Sequence, residues 1–331
     1  MTDDPFAPAR RVLSGDTADI YFLRTREAMQ AAGLNPIAVM EVFPAREGLL
    51  CGMREVIALL HEVLPPDAEV WALAERDRIS AKEVVLRVKA RYLSYAIYET
   101  AILGTLASET GWATAAAECV AAAGTIPVVS FGARHVHSSA APYLDYAATT
   151  GGCAGCSTML GGRLSGMEPS GTMPHAMVLC FGDTVEAALA YDKYIAPELS
   201  RTVLVDTLLD EAEESVRVAR ALGDKLQAVR LDTPHELGGV TTELVHKVRS
   251  RLDGEAFSHV RIFVSGGMTP ARIREFVESG AAVDGFGVGS YISSAKPNDF
   301  TADLKEIDGR PVAKRGRIPG ITPNPRLTRL I

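Results

Sequence analysis

The chain has 331 residues, 47% of them hydrophobic, and a formal net charge of −7 at pH 7. This length and composition predict a core large enough for one large α/β domain and a smaller one, and they exclude a disordered or fibrous protein. The negative charge provides no overall basic field, so neither nucleic acid nor an anionic membrane surface is expected as a partner.

The first residues and the cysteines bear on where the protein works. Residues Met1–Pro5 are acidic rather than basic, and no apolar run approaches the roughly 18 residues of a membrane span. The five cysteines are too sparse to suggest a disulfide framework. We therefore expect a cytoplasmic protein, with Cys153 and Cys156 as buried small residues, because no second cysteine pair completes a zinc site.

Residues 1–124 are predicted to form an N-terminal α/β (or α+β) domain. Helical spacing and short alternating runs mark its elements, and Pro65-Pro66 interrupts them. The predicted helices are Asp16–Ala32, Arg54–Val63, Tyr95–Leu106 and Ala113–Ala123, and the predicted strands are Ala38–Phe43 and Val84–Val88.

After Gly124 the pattern changes to short apolar strands that alternate with helices. The predicted strands are Ile126–Ser130, Ala176–Phe181, Thr202–Val205, Ala228–Leu231, Val260–Val264 and Val283–Gly287, and the predicted helices are Asp210–Leu222, Thr241–Leu252 and Thr269–Ser279. The last helix has a capping Thr269, Pro270 at its first position and Gly280 past its end. Such alternation predicts a parallel sheet with its chemistry at the carboxyl ends of the strands.

Two glycine segments follow the last two predicted strands: Ser265-Gly266-Gly267 and Gly287-Val288-Gly289-Ser290. Glycine lets backbone N–H groups approach an anion, and barrels bind phosphate after strands seven and eight. The alternative is two ordinary tight turns. We predict an irregular TIM-like α/β barrel over residues 125–297, which binds phosphate on both loops. Residues 298–331 are then expected to return to the N-terminal domain.

Other strand ends carry charged residues. Arg134 and Arg230 are suited to hold anionic substrates, against the alternative of surface ion pairs. Asp206 and Asp232 suit Mg²⁺ or sugar hydroxyls, against the alternative of helix capping. His175 lies in a segment stiffened by Gly171 and Pro174 and is a candidate functional residue.

A metal-dependent barrel hydrolase is the competing interpretation. It uses the closely spaced His135 and His137 as metal ligands. The remaining candidate ligands are His175, His235 and Asp284. Arg134 weakens this interpretation, because its positive charge would repel a metal ion.

Taken together, nine segments of the chain resemble the nicotinate phosphoribosyltransferases, in the shorter branch of that family. The segments are Asp19–Thr25, Glu99–Gly104, Phe131–Arg134, Gly151–Gly152 with Ser157, Gly171–His175, Val205–Thr207, Arg230–Asp232, Ser265–Gly267 and Gly287–Ser290. The resemblance implies transfer of a phosphoribosyl group from phosphoribosyl pyrophosphate to nicotinate, with ATP hydrolysis and Mg²⁺.

The resemblance also implies roles for individual residues. His175 would be phosphorylated by ATP, Asp206 and Asp232 would serve the ribose and Mg²⁺-pyrophosphate, and Tyr21 would stack on the pyridine ring in the neighbouring subunit of a homodimer or higher oligomer. The implied substrate-binding set is Tyr21, Arg134, Thr172, Arg230, Ser265, Gly266, Gly267, Gly287, Gly289 and Ser290.

Two further alternatives stay open. One is a related transferase that uses nicotinamide or another base, since Ala154 stands where an acidic residue often follows the Gly-Gly-Cys turn of the family. The other is a barrel that binds a nucleotide without catalysis.

Overall fold

A nearly continuous apolar run organises the first part of the chain. Residues Ile37–Pro44 form a strand, β1, of which all but the first residue are buried, as expected for a strand inside a sheet covered on both faces. In the computed structural model β1 lies in a six-stranded antiparallel sheet. Residues 4–331 are described, so the acidic opening residues lie partly outside the described range.

The described residues divide into two compact units, 4–114 with 295–331, and 115–294. The elements of the first unit are α1 Arg10–Leu13, α2 Ile20–Ala31, β1, β2 Gly48–Leu49, α3 Met53–Val63, β3 Glu69–Ala72, β4 Arg78–Ile79, β5 Leu86–Arg91, the first part of α4 Glu99–Ala123, β11 Phe300–Ile307, β12 Arg310–Pro311 and β13 Thr328–Arg329. The strand order of its main sheet is β12-β11-β1-β5-β3-β13.

The core of the first unit lies where α3 and α4 meet this sheet. Helix α3 buries Met53, Val56 and Leu60 at helical spacing, and α4 adds Ile102 and Leu106. This packing, rather than helix propensity, holds the short α3 in place.

Helix α4 is one helix, although the sequence predicts two separate helices over this region. It runs unbroken from Glu99 to Ala123 and passes through Gly104 and Gly111. An interior glycine costs a helix only about 1 kcal/mol, and that is too little to end a helix that buries apolar side chains.

The second unit is built on a five-stranded parallel sheet of order β6-β10-β9-β8-β7. Its elements are the rest of α4, β6 Val128–Ser130, α5 Ala141–Thr150, α6 Met159–Ser165, α7 His175–Phe181, α8 Thr184–Tyr194, β7 Thr202–Leu204, α9 Glu211–Leu222, β8 Ala228–Leu231, α10 Thr242–Gly254, β9 Arg261–Val264, α11 Pro270–Glu278, β10 Gly285–Val288 and α12 Ser290–Ser293. Among residues 4–331 the end strands β6 and β7 do not pair with each other. Hydrogen bonds therefore do not close the described strands into a barrel, and the closed TIM-like barrel stays a prediction.

The predicted strand Ala176–Phe181 is wrong, because these residues belong to α7. Gly182 follows with a φ of 76°, the left-handed conformation that commonly ends a helix. Asp183 is consequently not at a strand end. Its carboxylate accepts hydrogen bonds from the backbone N–H groups of Val185 and Glu186 and caps α8.

Two glycines of β10 make room for aromatic rings inside the second unit. A Cβ atom on Gly285 would lie 2.5 Å from the Phe263 ring, and one on Gly287 would overlap the Phe131 ring. The two rings lie 5.9 Å apart. Next to them, residues at the amino ends of the strands line a cavity of about 280 Å³.

No helix among residues 4–331 combines the length and the apolar character needed to cross a membrane.

Candidate active site

Three neighbouring strands bring the predicted charged residues to one edge of the parallel sheet. Asp206 follows β7, Arg230 and Asp232 lie at the end of β8, and Ser265 follows β9. Because parallel strands share one direction, their carboxyl ends meet at the same edge. The strand order β9-β8-β7 therefore brings these side chains together, as the alternating pattern of the sequence predicts.

Arg230 is the centre of this cluster. Its Nε donates to Ser265 Oγ, its Nη1 to Thr172 Oγ1 and its Nη2 to Asp232 Oδ2, each at 2.8 Å. The guanidinium lies 4.8 Å from the centre of the Phe131 ring, a cation–π distance. Burial lowers the pKa of Arg230 from its ordinary value, and the negative charges of Asp232 and Asp206 partly offset this effect by raising it.

Asp206 is the most deeply buried carboxylate of the cluster, with no exposed side-chain surface. Its Oδ2 accepts from the backbone N–H of Asp232 at 3.1 Å. Its Oδ1 has no hydrogen-bond partner within the described chain, although His175 Nε2 lies 3.3 Å away at ion-pair distance. Burial raises the pKa of Asp206, and His175 partly offsets this effect. Oδ1 is therefore a buried acceptor whose hydrogen-bonding capacity the described chain leaves unused.

His175 begins α7 directly after Pro174. Its side chain is 44% exposed, so it faces the buried Asp206 on one side and solvent on the other. The sequence singled out this histidine, and the structure brings it to the same strand ends as the two aspartates.

Asp232 is fully engaged by its neighbours. Its Oδ2 accepts from Arg230, and its Oδ1 lies 3.0 Å from Ser265 Oγ. Ser265 Oγ also lies 3.1 Å from the Leu231 carbonyl oxygen, so its single proton is shared between two acceptors.

The first glycine loop lies beside Asp232. Gly266 and Gly267 have φ values of 85° and 64°, a conformation that other residues adopt only with strain. No group among residues 4–331 accepts a hydrogen bond from either backbone N–H. The loop leads into α11, which Thr269 caps by accepting from Arg272 N–H.

The second loop follows β10. Gly287 itself lies inside the strand against Phe131, whereas Gly289 and Ser290 form the loop and the start of α12. Within the described residues the N–H of Gly289 has no acceptor. Both loops thus offer backbone donors to an anion.

Arg134 lies in the 3₁₀ turn Ala133–His135 after β6 and is exposed. Its positive charge contributes to lowering the pKa of Arg230. Within the described chain its guanidinium forms no ion pair or side-chain hydrogen bond, so it is available to an anionic ligand.

Some predicted residues lie elsewhere. Tyr21 belongs to the first unit, on α2, with 53% of its surface exposed. Asp284 lies at the amino end of β10, where its carboxylate accepts from Ile262 N–H. The hydrolase set that would recruit Asp284 is therefore divided between opposite ends of the sheet.

Three potential metal ligands do lie close together in the first unit: Cys51, Glu75 and Glu109. The sequence did not single out this group. The Glu75 carboxylate accepts from Gly52 N–H at 2.8 Å and Arg54 N–H at 3.1 Å, so it caps α3. Glu109 is fully buried, and burial together with neighbouring carboxylates raises its pKa well above the ordinary value.

Cys153 and Cys156 are buried, as predicted. Their loop lies beside β6, where Gly155 bridges to Val129, and it leads into α6. Burial raises the pKa of Cys156 to about 11, so its thiol stays protonated at neutral pH.

The sequence interpretation missed Phe131 as a site residue. Its ring lies under Arg230 and beside Phe263, contacts that join three different strands. The sequence did offer one signal for Phe131: it directly follows the predicted strand that ends at Ser130, at the edge of the sheet where site residues are expected.

Family models match most of this chain. Residues 19–110 match the N-terminal domain of quinolinate phosphoribosyl transferase, and residues 112–303 match the C-terminal domain of the same family.

Curated relatives carry a related name. The chain is 33% identical over 249 residues to the nicotinate phosphoribosyltransferase pncB2 of Mycobacterium tuberculosis. The matched region covers 73% of this chain and 52% of that relative. A nicotinate phosphoribosyltransferase of Bacillus subtilis is 29% identical over 231 residues, 68% of this chain and 46% of the relative. The chain spans about half the length of these relatives.

Solved structures share the fold. A nicotinate-nucleotide pyrophosphorylase from Pyrococcus furiosus is 41% identical, with a TM-score of 0.87 over 97% of this chain and 82% of that one. Human nicotinic acid phosphoribosyltransferase is 19% identical, with a TM-score of 0.77 over 92% of this chain and 77% of that one, which shows likeness of fold alone.

Proposed function

Because this chain belongs to the quinolinate phosphoribosyltransferase family, we propose that it is a nicotinate phosphoribosyltransferase of NAD biosynthesis. It joins nicotinate to phosphoribosyl pyrophosphate and releases nicotinate mononucleotide and pyrophosphate. The observation that carries the proposal is the cluster of Arg230, Asp206, Asp232 and His175 beside two loops with free backbone donors.

The chemistry requires charge stabilisation more than a strong base. The pyridine nitrogen of nicotinate attacks C1 of the ribose, and the bond from C1 to pyrophosphate breaks. Positive charge develops on the ribose ring and negative charge on the leaving group. The carboxylate of buried Asp206 stabilises the positive charge on the ribose ring, and the exposed guanidinium of Arg134 stabilises the negative charge on the leaving pyrophosphate.

Arg230 is suited to fix an anionic substrate. A guanidinium has five N–H groups, and three hydrogen bonds to the protein leave two for a ligand. The protein contacts hold the fork in one orientation, so little freedom is lost on binding.

Mg²⁺ is the proposed metal. A hard cation prefers oxygen ligands, and Asp206 Oδ1 is a buried acceptor without a hydrogen bond, so this side chain fits a cation. Asp232 would join it only by sharing an oxygen already used by Arg230 or Ser265. When bound, Mg²⁺ would neutralise charge on the pyrophosphate.

ATP is the proposed co-substrate, with His175 as the phosphoryl acceptor. The Nε2 atom faces Asp206, which leaves Nδ1 as the nucleophile. Nδ1 would bond to the γ-phosphorus of ATP while the bond from that phosphorus to the β–γ bridging oxygen breaks and ADP leaves. Asp206 Oδ1 has a second lone pair beside the one that would bind Mg²⁺, so it would also hold the imidazole in one orientation and stabilise its positive charge during transfer.

We further propose that the enzyme is a homodimer or higher homo-oligomer in which the exposed Tyr21 stacks on the pyridine ring in the neighbouring subunit. A Tyr21→Ala variant should then raise the KM for the base while the fold is kept.

A product assay tests the proposal. Purified protein is given phosphoribosyl pyrophosphate and Mg²⁺, with nicotinate, nicotinamide or quinolinate, with and without ATP, and nucleotides are quantified. Nicotinate mononucleotide as the main product, formed faster with ATP, is the expected result. Nucleotide from quinolinate with loss of carbon dioxide would instead favour a quinolinate phosphoribosyltransferase, a second candidate function that the name of the matching family suggests. If nucleotide forms only when nicotinamide is supplied, the base substrate is nicotinamide and the proposal of nicotinate is wrong.

A further inference from the structure

Two histidines flank the glycine loops, one on each outer side. His135 follows β6, and His235 follows β8 in the 3₁₀ turn His235–Leu237. The glycine loops follow β10 and β9. Because the sheet order is β6-β10-β9-β8, the two loops lie in the middle, and the two histidines lie beside them.

His135 contacts the second loop directly. A Cβ atom on Gly289 would lie 3.0 Å from its Cε1 and 3.5 Å from its Nδ1, so a larger residue would have to displace the ring by a few tenths of an ångström. Its Nδ1 lies 3.3 Å from Ser293 Oγ, on α12. When Nδ1 accepts the serine proton, the ring carries its own proton on Nε2 and can donate it to a ligand.

His235 contacts the first loop in the same way. A Cβ atom on Gly267 would lie 3.4 Å from its Nε2, and one on Gly239 would lie 3.6 Å from its Nδ1. Backbone bonds from Gly238 N–H to the His235 carbonyl and from Gly239 N–H to the Pro234 carbonyl fix the turn. The backbone of the turn therefore places the imidazole beside the first loop.

The surroundings of the rings favour an anion. Both side chains are exposed, so a ligand on the loops would meet them. Asp232 lies beside the first loop, 3.2 Å from a Cβ atom on Gly266, and Arg230 and Ser265 already occupy its oxygens. Glu236 follows His235 in its turn and is exposed to solvent. Arg272 adds a positive charge near Gly239.

We propose that His135 and His235 donate ring N–H groups to the 5′-phosphate of a ribose 5-phosphate group, from opposite sides of the two loops. This inference rests on the proposed function and adds two side-chain ligands to the backbone donors of Gly266, Gly267 and Gly289. The ligand is a phosphate monoester, so each histidine discriminates phosphorylated ribose from free ribose.

Calorimetric titration with ribose 5-phosphate tests the pair without the need for turnover. The variants are His135→Phe and His235→Phe, which keep a planar ring but lose the donor. We expect each to raise the Kd for ribose 5-phosphate about ten-fold or more, as for loss of a hydrogen bond to a charged group. His246→Phe, on the exposed face of α10, is the matched control and should bind as the native protein does.

Companion measurements separate a ligand from a structural role. His135→Gln and His235→Gln keep an N–H donor and should recover part of the affinity, with circular dichroism unchanged. In turnover, the KM for phosphoribosyl pyrophosphate should rise in the Phe variants while kcat stays within about three-fold. Unchanged Kd values for ribose 5-phosphate in both Phe variants would overturn the proposal. It would also be overturned if the native protein bound Zn²⁺ tightly and both variants lost Zn²⁺ binding but kept the native Kd for ribose 5-phosphate.

The two proposals fail in different ways. If the native protein forms no nucleotide from any base but binds ribose 5-phosphate through both histidines, the proposed function falls and this inference stands. If nucleotide forms while the histidine variants bind ribose 5-phosphate normally, only the inference falls.

Discussion

Three of the five N–H groups of Arg230 donate to Ser265, Thr172 and Asp232. A lysine at this position would keep the charge but lose the planar fork. We therefore expect Arg230→Lys to lower kcat/KM for phosphoribosyl pyrophosphate and base about 100-fold or more, since at least two charged hydrogen bonds of about 1.5–3 kcal/mol each are lost.

Steady-state kinetics and circular dichroism check this expectation. Arg220→Lys is the matched control, because Arg220 is exposed and pairs with Glu255 on the surface. A kcat/KM of Arg230→Lys within three-fold of native would show that the fork does not matter for catalysis.

Asp206 links function to stability through its raised pKa. The folded protein favours the protonated form of a carboxyl group whose pKa is raised above its ordinary 3.8. The contribution of Asp206 to the free energy of unfolding is therefore greatest below about pH 4. It is lost as the pH rises through the raised pKa. Asp206→Asn should therefore gain stability over native protein at pH 7 and lose that advantage near pH 4, while its activity falls.

Thermal unfolding followed at pH 4 to 8, beside turnover at pH 7, measures both effects. A melting-temperature difference between Asp206→Asn and native protein that does not change with pH would count against the burial of a charged carboxylate as its cause.

The charged strand-end residues were predictable because each lies at or shortly after the end of a readable strand. Phe131, His135 and His235 were not assigned their present positions, since their neighbours come from other strands. A linear sequence shows which residue ends a strand, but it does not show which two strands lie side by side. The adjacency of β6 to β10 decides where His135 lies.

Helix α7 shows a different kind of error. A short apolar run fits a strand and a helix equally well by periodicity, and only Val178 of this helix is buried. The decisive signal was Gly182, whose left-handed conformation ends the helix. Because α7 begins at His175, the error concerned the element that presents the proposed phosphoryl acceptor.

Gly182 gives a test of this helix end. Gly182→Ala should destabilise the protein by about 1 kcal/mol, because a Cβ atom disfavours the left-handed region, and lower the melting temperature by roughly 2–4 °C. Gly254→Ala, at a helical glycine with nothing within 4 Å of its Cβ position, should not destabilise. Equal melting temperatures for the two variants would contradict the assigned cap.

Residues far apart in the chain build the first unit. β1 pairs antiparallel with β11 along Ala38–Pro44, and β13 pairs with β3. Alternating strands and helices predicted the parallel sheet of the second unit, but pairing across more than 250 residues leaves no local pattern. The order of strands in the first sheet therefore could not be read from the sequence.

Truncation tests the dependence on distant residues. Ending the chain after residue 294 removes β11 and the buried Phe300, so β1 loses one of its two partners. We expect residues 4–114 to become sensitive to limited proteolysis, read by mass spectrometry of the fragments. Ending it after residue 326 removes only β13 and should have a smaller effect, so equal protease resistance in both truncations would argue against a role for β11.

The pairing of β1 with β11 also has a consequence during synthesis. A ribosome that adds roughly 5–20 residues per second needs on the order of 15–50 s to pass from Pro44 to Ile307. For that interval the edge of β1 that later meets β11 offers unpaired backbone groups to any other extended chain nearby. The nascent protein is therefore most exposed to misassociation, and most dependent on chaperones, while its second unit is being made.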